Sequence, residues 1–128
     1  MIIGVDFDGT VVYDRFPCIG LDIPWAVEVL KEFKEQGHKL ILITCREGKH
    51  LDAACRWFEQ NGIELDAVNE NIPGLSWEPR KVMVDAMIDD RAVGCPFFYR
   101  LDGARAYPNW PKIREEIFKI PPVVVQNV

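Results

Sequence analysis

The residues able to do chemistry fall in a few short stretches. Asp6-Phe7-Asp8-Gly9-Thr10 places two carboxylates one residue apart, with a glycine directly after them. Thr44 closes an apolar run, with Cys45 and Arg46 behind it. Arg80 and Lys81 stand side by side, and Lys81 precedes Asp89-Asp90 by eight residues. Four aspartates on one rim repel one another, and their convergence makes sense when a divalent cation sits among them. Carboxylate oxygens with a backbone carbonyl and waters suit Mg2+, which is the expected cofactor. On a regular strand Asp6 and Asp8, two residues apart, would share one face. A loop beginning at Asp8, with Gly9 permitting the turn, brings both toward one ligand. A metal, two aspartates, a hydroxyl and a lysine together point to phosphoryl transfer. The cations neutralise phosphoryl oxygens. One carboxylate attacks phosphorus to form an acyl phosphate, and the other protonates the leaving oxygen and then activates water.

Such a set works only if the fold brings it to one place. Ile2, Ile3 and Val5 form a β-branched run ending at Asp6, and a loop is expected from Gly9 to about Pro24. Ala26, Val29, Leu30 and Phe33 share one helical face, stopped by Gly37. Lys39 to Thr44 reads as a strand covered on both sides. Leu51, Ala54, Cys55 and Phe58 mark a second helix ended by Asn61-Gly62, and Leu65 to Val68 a short strand. Asn69 to Pro79 reads as loop, and Arg80 to Asp85 is open between helix and extended chain. Ala86 to Asp89 and Phe97 to Arg100 are strand candidates, and Asn109 caps a last helix with Pro111 in its first turn. The alternation predicts an α/β, Rossmann-like domain with a parallel sheet and helices on both faces. In such sheets ligands sit outside the carboxyl ends of the strands, which is where Asp6, Thr44 and Asp89 fall.

The stretches VDFDGT at 5–10, LILIT at 40–44, Lys81 and IDD at 88–90 resemble, in order, the four motifs of the haloacid dehalogenase (HAD) superfamily. The resemblance spans about residues 1 to 91 and is nearest to the small capless Mg2+-dependent phosphatases. It implies a nucleophile and metal ligand at Asp6, and a general acid/base at Asp8 whose backbone carbonyl also binds the metal. It implies a phosphoryl-binding hydroxyl at Thr44 and a phosphoryl-binding cation at Lys81. Asp89 is the remaining metal ligand, and Asp90 orders the shell around it. An aspartate at the position of Asp8 implies phosphate esters as substrates, since dehalogenating members lack it. Gly9, Cys45 and Arg46 complete the expected phosphate-binding set with Thr44 and Lys81. Arg80 is a neighbouring candidate for the third-motif cation. Arg46 is equally suited to pair with Glu47 or a nearby helix.

The remaining polar and aromatic residues fit blander roles. His50 reads as a surface histidine, and His38 as structural. Asp14, Arg15 and Phe16 belong to a loop that either selects substrate or is merely solvated. Asn69 and Asn71 follow the third strand and fit turn chemistry or substrate contact. Trp77 sits in a loop and fits a substrate or partner contact, or neither.

Size and composition set the outer limits. The chain has 128 residues, net charge −5 and 48% hydrophobic residues, which suits one globular domain. The expected division is a core over 1–120 and a tail over 121–128. The acidic balance gives no electrostatic footprint for nucleic acid. No apolar run approaches the roughly 18 residues of a membrane span. Cys18, Cys45, Cys55 and Cys95 lack metal-site spacing and read as free thiols of a cytoplasmic protein. The expected partner is a small phosphorylated substrate. The apolar tail Val123 to Val125 suits an edge strand, a contact with a second copy, or no structure, so a homo-oligomer is one expectation. The 33 residues between Thr10 and Thr44, and the 36 between Thr44 and Lys81, leave no room for an inserted cap of about 50 residues. A receiver-like signalling domain and a phosphotransferase are the alternatives. Receiver domains use similar residues, but in another order along the chain.

Overall fold

The computed structural model describes residues 1–121. The tail Val123 to Val125 lies outside the described residues. Strand β1 (Ile2–Val5) is followed by a hairpin of β2 (Val12–Arg15) and β3 (Cys18–Asp22), helix α1 (Ala26–Glu35) and β4 (Lys39–Leu42). Helix α2 (Gly48–Gln60), β5 (Ala67–Val68), β6 (Ala86–Ile88), β7 (Phe97–Phe98), β8 (Tyr107–Pro108) and α3 (Trp110–Lys119) complete the order. The main sheet is parallel, in the order β5-β4-β1-β6. Counting only its own strands, that is 3-2-1-4, the first four positions of the Rossmann order 3-2-1-4-5-6. The first strand is therefore central, and the order reverses between β1 and β6.

Register explains the core. Ile3 lies opposite Leu40 and Ala86, and Val5 opposite Leu42 and Ile88, so these side chains share one face. That face joins one cluster with Ala26, Val29, Leu30 and Phe33 of α1, Ala54, Trp57 and Phe58 of α2, and Trp110, Ile113 and Ile117 of α3. At roughly 25 cal/mol per Å2, burying such a cluster is the main force holding the sheet and helices together.

The other face is covered differently. The chain crosses it from β5 to β6 through residues 69–85, which contain no helix or strand. This irregular segment takes the place expected of a helix. Gly4 leaves room on that face: a Cβ there would stand 2.8 Å from Ile43 Cδ1 and from Met87 Sδ, and 3.1 Å from Val84 Cγ1 of the covering segment. The α/β class and the parallel sheet flanked by helices agree with the sequence reading; helices were expected on both faces, and residues 69–85 cover the second face instead, while no separate cap interrupts the described residues. No helix among them is long and apolar enough to cross a membrane.

Two departures have local causes. The loop expected over Gly9–Pro24 holds the β2–β3 hairpin, paired only with itself. Its strands cross so closely that a Cβ on Gly20 would lie 1.9 Å from the Tyr13 carbonyl oxygen. The strand expected at Phe97–Arg100 shortens to Phe97–Phe98 and pairs with Tyr107–Pro108 instead of the main sheet. The last helix starts as expected, with the Asn109 side chain accepting from the Lys112 N–H at 3.0 Å.

Candidate active site

Asp6 stands one residue beyond β1, and its N–H donates to the Ile88 carbonyl at 2.9 Å. That rung carries the parallel register past the strand end and sets Asp6 beside Asp89 and Asp90, which follow β6. One carboxylate oxygen from each of the three lies within 4.8 Å of the others. They meet where the strand order reverses, the usual ligand crevice of an open α/β sheet.

Three short connections hold these like charges together. The Thr10 hydroxyl, fully buried, lies 2.9 Å from Asp6 Oδ2 and 3.3 Å from Asp90 Oδ1, and accepts the Asp90 N–H at 3.0 Å. The Thr10 carbonyl accepts Trp110 Nε1–H at 2.9 Å, which ties the loop to α3. Gly9 has φ +85, and a Cβ there would fall 2.5 Å from Asp90 Oδ2, so the Asp90 carboxylate rests on bare backbone. Asp89 accepts the Arg91 N–H at 2.9 Å.

The cost of this crowding appears in the proton affinities. Burial, then the charge of Asp89, pushes Asp6 up to about 7, against the pull of the Thr10 hydrogen bond. Burial, then a hydrogen bond with Asp89, raises Asp90 as well. Half-buried carboxylates that repel one another and lack a cationic side chain among them form an oxygen donor set for a hard divalent ion. The residues fit Mg2+.

Asp8 takes a different course. Both of its oxygens accept from Arg46, Nε–H and Nη2–H each at 2.7 Å, and it is not part of the three-carboxylate cluster. Arg46 itself is only 3% exposed. Its remaining N–H bonds reach the carbonyls of Pro17, Cys18 and His50. All five guanidinium donors are engaged, and none is left for a phosphoryl oxygen. The pairing expected with Glu47 or a helix is met instead by Asp8, with one bond to the start of α2.

The opposite side of the rim, with Thr44 and Lys81, is held by two asparagines. Asn69, at φ +52 just after β5, accepts the Thr44 N–H on Oδ1 at 2.8 Å. The Thr44 hydroxyl accepts the Arg46 N–H at 3.2 Å and keeps its own proton free to donate. Asn71 donates to the carbonyls of Pro79 and Lys81 and accepts the Met83 N–H, clamping the segment that carries Lys81. Lys81 is exposed and lines a hollow of about 650 Å3 with Ile43, Trp77 and Met87. No salt bridge joins it to the carboxylates among the described residues. Cys45 is exposed at the rim beside Thr44.

No protein-family model matches the chain, and no curated protein matches it. Among solved structures, a conserved protein of Bacteroides thetaiotaomicron is 42% identical, over 92% of this chain and 89% of that one, with a TM-score of 0.76. The chain belongs to that protein's family. A D,D-heptose 1.7-bisphosphate phosphatase from B. bronchiseptica, solved with magnesium and phosphate, is 20% identical over 52% of this chain and 47% of that one, with a TM-score of 0.43.

Sequence reasoning named Asp6, Asp89 and Asp90, and the fold of this family member brings them together. It missed Thr10, although Thr10 closes the VDFDGT stretch and its hydroxyl links both acidic segments. A small hydroxyl in an acidic turn was the available signal. It also left Asn69 and Asn71 open between turn and substrate, whereas both side chains hold backbone of the neighbouring segments.

Proposed function

We propose that the chain is a HAD-like, Mg2+-dependent phosphomonoester hydrolase that works through an aspartyl-phosphate on Asp6. The observation that carries this reading is the convergence of Asp6, Asp89 and Asp90 at the sheet's reversal point. Asp6, Asp89 and the backbone carbonyl of Asp8 would hold Mg2+, with Asp90 ordering the shell. Bound there, the ion would neutralise charge on the phosphoryl oxygens.

Asp6 attacks phosphorus as the nucleophile, and Asp8 protonates the leaving oxygen. Water, deprotonated by Asp8, then cleaves the acyl phosphate and frees Asp6. The Thr44 hydroxyl and Lys81 bind the phosphoryl oxygens, with Gly9 and Cys45 supplying backbone beside them. The substrate is a small phosphorylated molecule, and the rim has no cap to exclude a bulky one. A receiver-like role has less support, since the strand order is 3-2-1-4 and not the 2-1-3-4-5 of that class.

The test is phosphate release from an aryl phosphate, with and without Mg2+, by the parent and by Asp6→Asn. The expected loss is at least roughly 10³-fold, a barrier change of about 4 kcal/mol. Equal release by the two proteins sinks the reading.

A further inference from the structure

Arg46 is the one charged residue in the buried class among the described residues. Its guanidinium joins three separate pieces of chain. Two N–H bonds hold Asp8, two reach the hairpin tip at the Pro17 and Cys18 carbonyls, and one reaches His50 in α2. Its carbon centre lies 5.1 Å from the Phe7 ring centroid and 5.2 Å from that of Phe16, so the tip also stacks on the cation. The tip itself, Asp14 to Cys18, is exposed throughout. Beyond Arg46, a bond from Arg105 to the Asp14 carbonyl and an edge contact of Phe16 with His50 help to hold it.

We propose that Arg46 is a positioning residue: its fork fixes the aim of the Asp8 carboxylate and ties that aim to the seat of the β2–β3 hairpin tip. The planar fork matches a carboxylate in two parallel bonds, a geometry that lysine cannot reproduce. Neither partner separates cheaply, because parting them leaves a buried charge unpaired. Movement of the tip and reorientation of Asp8 are thus one event. The significance of that event for turnover rests on the phosphatase reading, in which Asp8 serves the leaving group; the mechanical link between Asp8 and the tip does not.

The experiment pairs Arg46→Lys with Asp8→Asn. Turnover is measured on two esters, 4-nitrophenyl phosphate and a simple alkyl phosphate. A leaving group that needs no proton is insensitive to Asp8, whereas an alkoxide depends on it. Arg46→Lys is expected to lose at least about tenfold more activity on the alkyl ester than on the aryl ester, part of the roughly 10²–10⁴-fold that general acid catalysis supplies. Asp8→Asn is expected to show the same selectivity, more strongly. Amide hydrogen exchange at Asp14 to Cys18 is measured in parallel. Both variants are expected to speed it, although the Asp8 side chain bonds to Arg46 and not to the tip. Equal losses on the two esters by Arg46→Lys overturn the positioning of Asp8, whatever the hairpin does. If the parent hydrolyses neither ester, the phosphatase reading fails and exchange alone decides. Faster exchange at the tip in both variants then upholds the link, and unchanged exchange in either one overturns it.

Discussion

The two sides of the candidate site are built on opposite plans. On the acidic side, Asp6, Thr10 and Asp90 are interlocked by side-chain and backbone hydrogen bonds of 2.9 to 3.3 Å at the ends of the paired strands β1 and β6. On the opposite side, Thr44 and the segment of Lys81 hang from Asn69 and Asn71, and Lys81 itself is exposed. The difference has an electrostatic cause. Like charges fly apart unless a rigid frame holds them, so a cluster of carboxylates depends on the fold around it. A lone ammonium on a flexible four-carbon stem needs no such frame. The acidic side is therefore bound into the fold, and Lys81 is attached to it by few contacts.

This contrast can be broken most directly at Lys81. Lys81→Ala is expected to cut turnover about 10²-fold, or roughly 2.7 kcal/mol of barrier, while leaving the melting temperature unchanged. Arg80→Ala is expected to change turnover by no more than about a few-fold, because the eight-residue spacing to Asp89 favours Lys81. Reversed effects in steady-state kinetics would move the third-motif role to Arg80.

Thr10→Val probes the other side. The substitution keeps the shape but removes the hydroxyl that accepts the Asp90 N–H and donates toward Asp6. A loss of about 1–3 kcal/mol in stability is expected from the unsatisfied buried group. Urea denaturation checks this, and a variant as stable as the parent would show that the acidic frame is not held through Thr10.

The smallest effect concerns pH. A carboxyl whose folded value is raised to about 7, as for Asp6, binds a proton more readily in the folded state. That contribution is complete below about pH 4 and disappears as pH rises through about 7. The metal-free protein thus bears more carboxylate repulsion at pH 8 than at pH 5. Added Mg2+ is expected to raise the melting temperature more at pH 8 than at pH 5, and an equal rise at both would argue against a metal among these carboxylates.

Much of the frame was legible because it depends on local pattern. The apolar spacing of Ala26, Val29, Leu30 and Phe33 dictates a one-sided helix, and α1 buries those four residues. The Asn109 cap and Pro111 mark the start of α3 for equally local reasons. The β2–β3 hairpin escaped because its pairing is confined to itself and carries no strong alternation. Asn69 to Pro79 was legible as loop, but Arg80 to Asp85 stayed open between helix and extended chain because no periodicity governs it; part of its order comes from Asn71 bonds to residues eight to twelve positions away.

Residue types and their order along the chain determined that the acidic groups would lie at strand ends, since a strand delivers whatever follows it to the same rim. Nothing local determined which of those groups would meet. Asp6 and Asp89 come together through the pairing of β1 with β6, a contact between residues more than 80 positions apart. The same holds for Arg46. Its type and place after Thr44 suggested a phosphate ligand, yet long-range packing buried it between Phe7 and Phe16 and gave its fork to Asp8. A charge has no preferred partner in sequence, because Coulomb attraction and desolvation depend on distance and burial, and tertiary structure alone sets both.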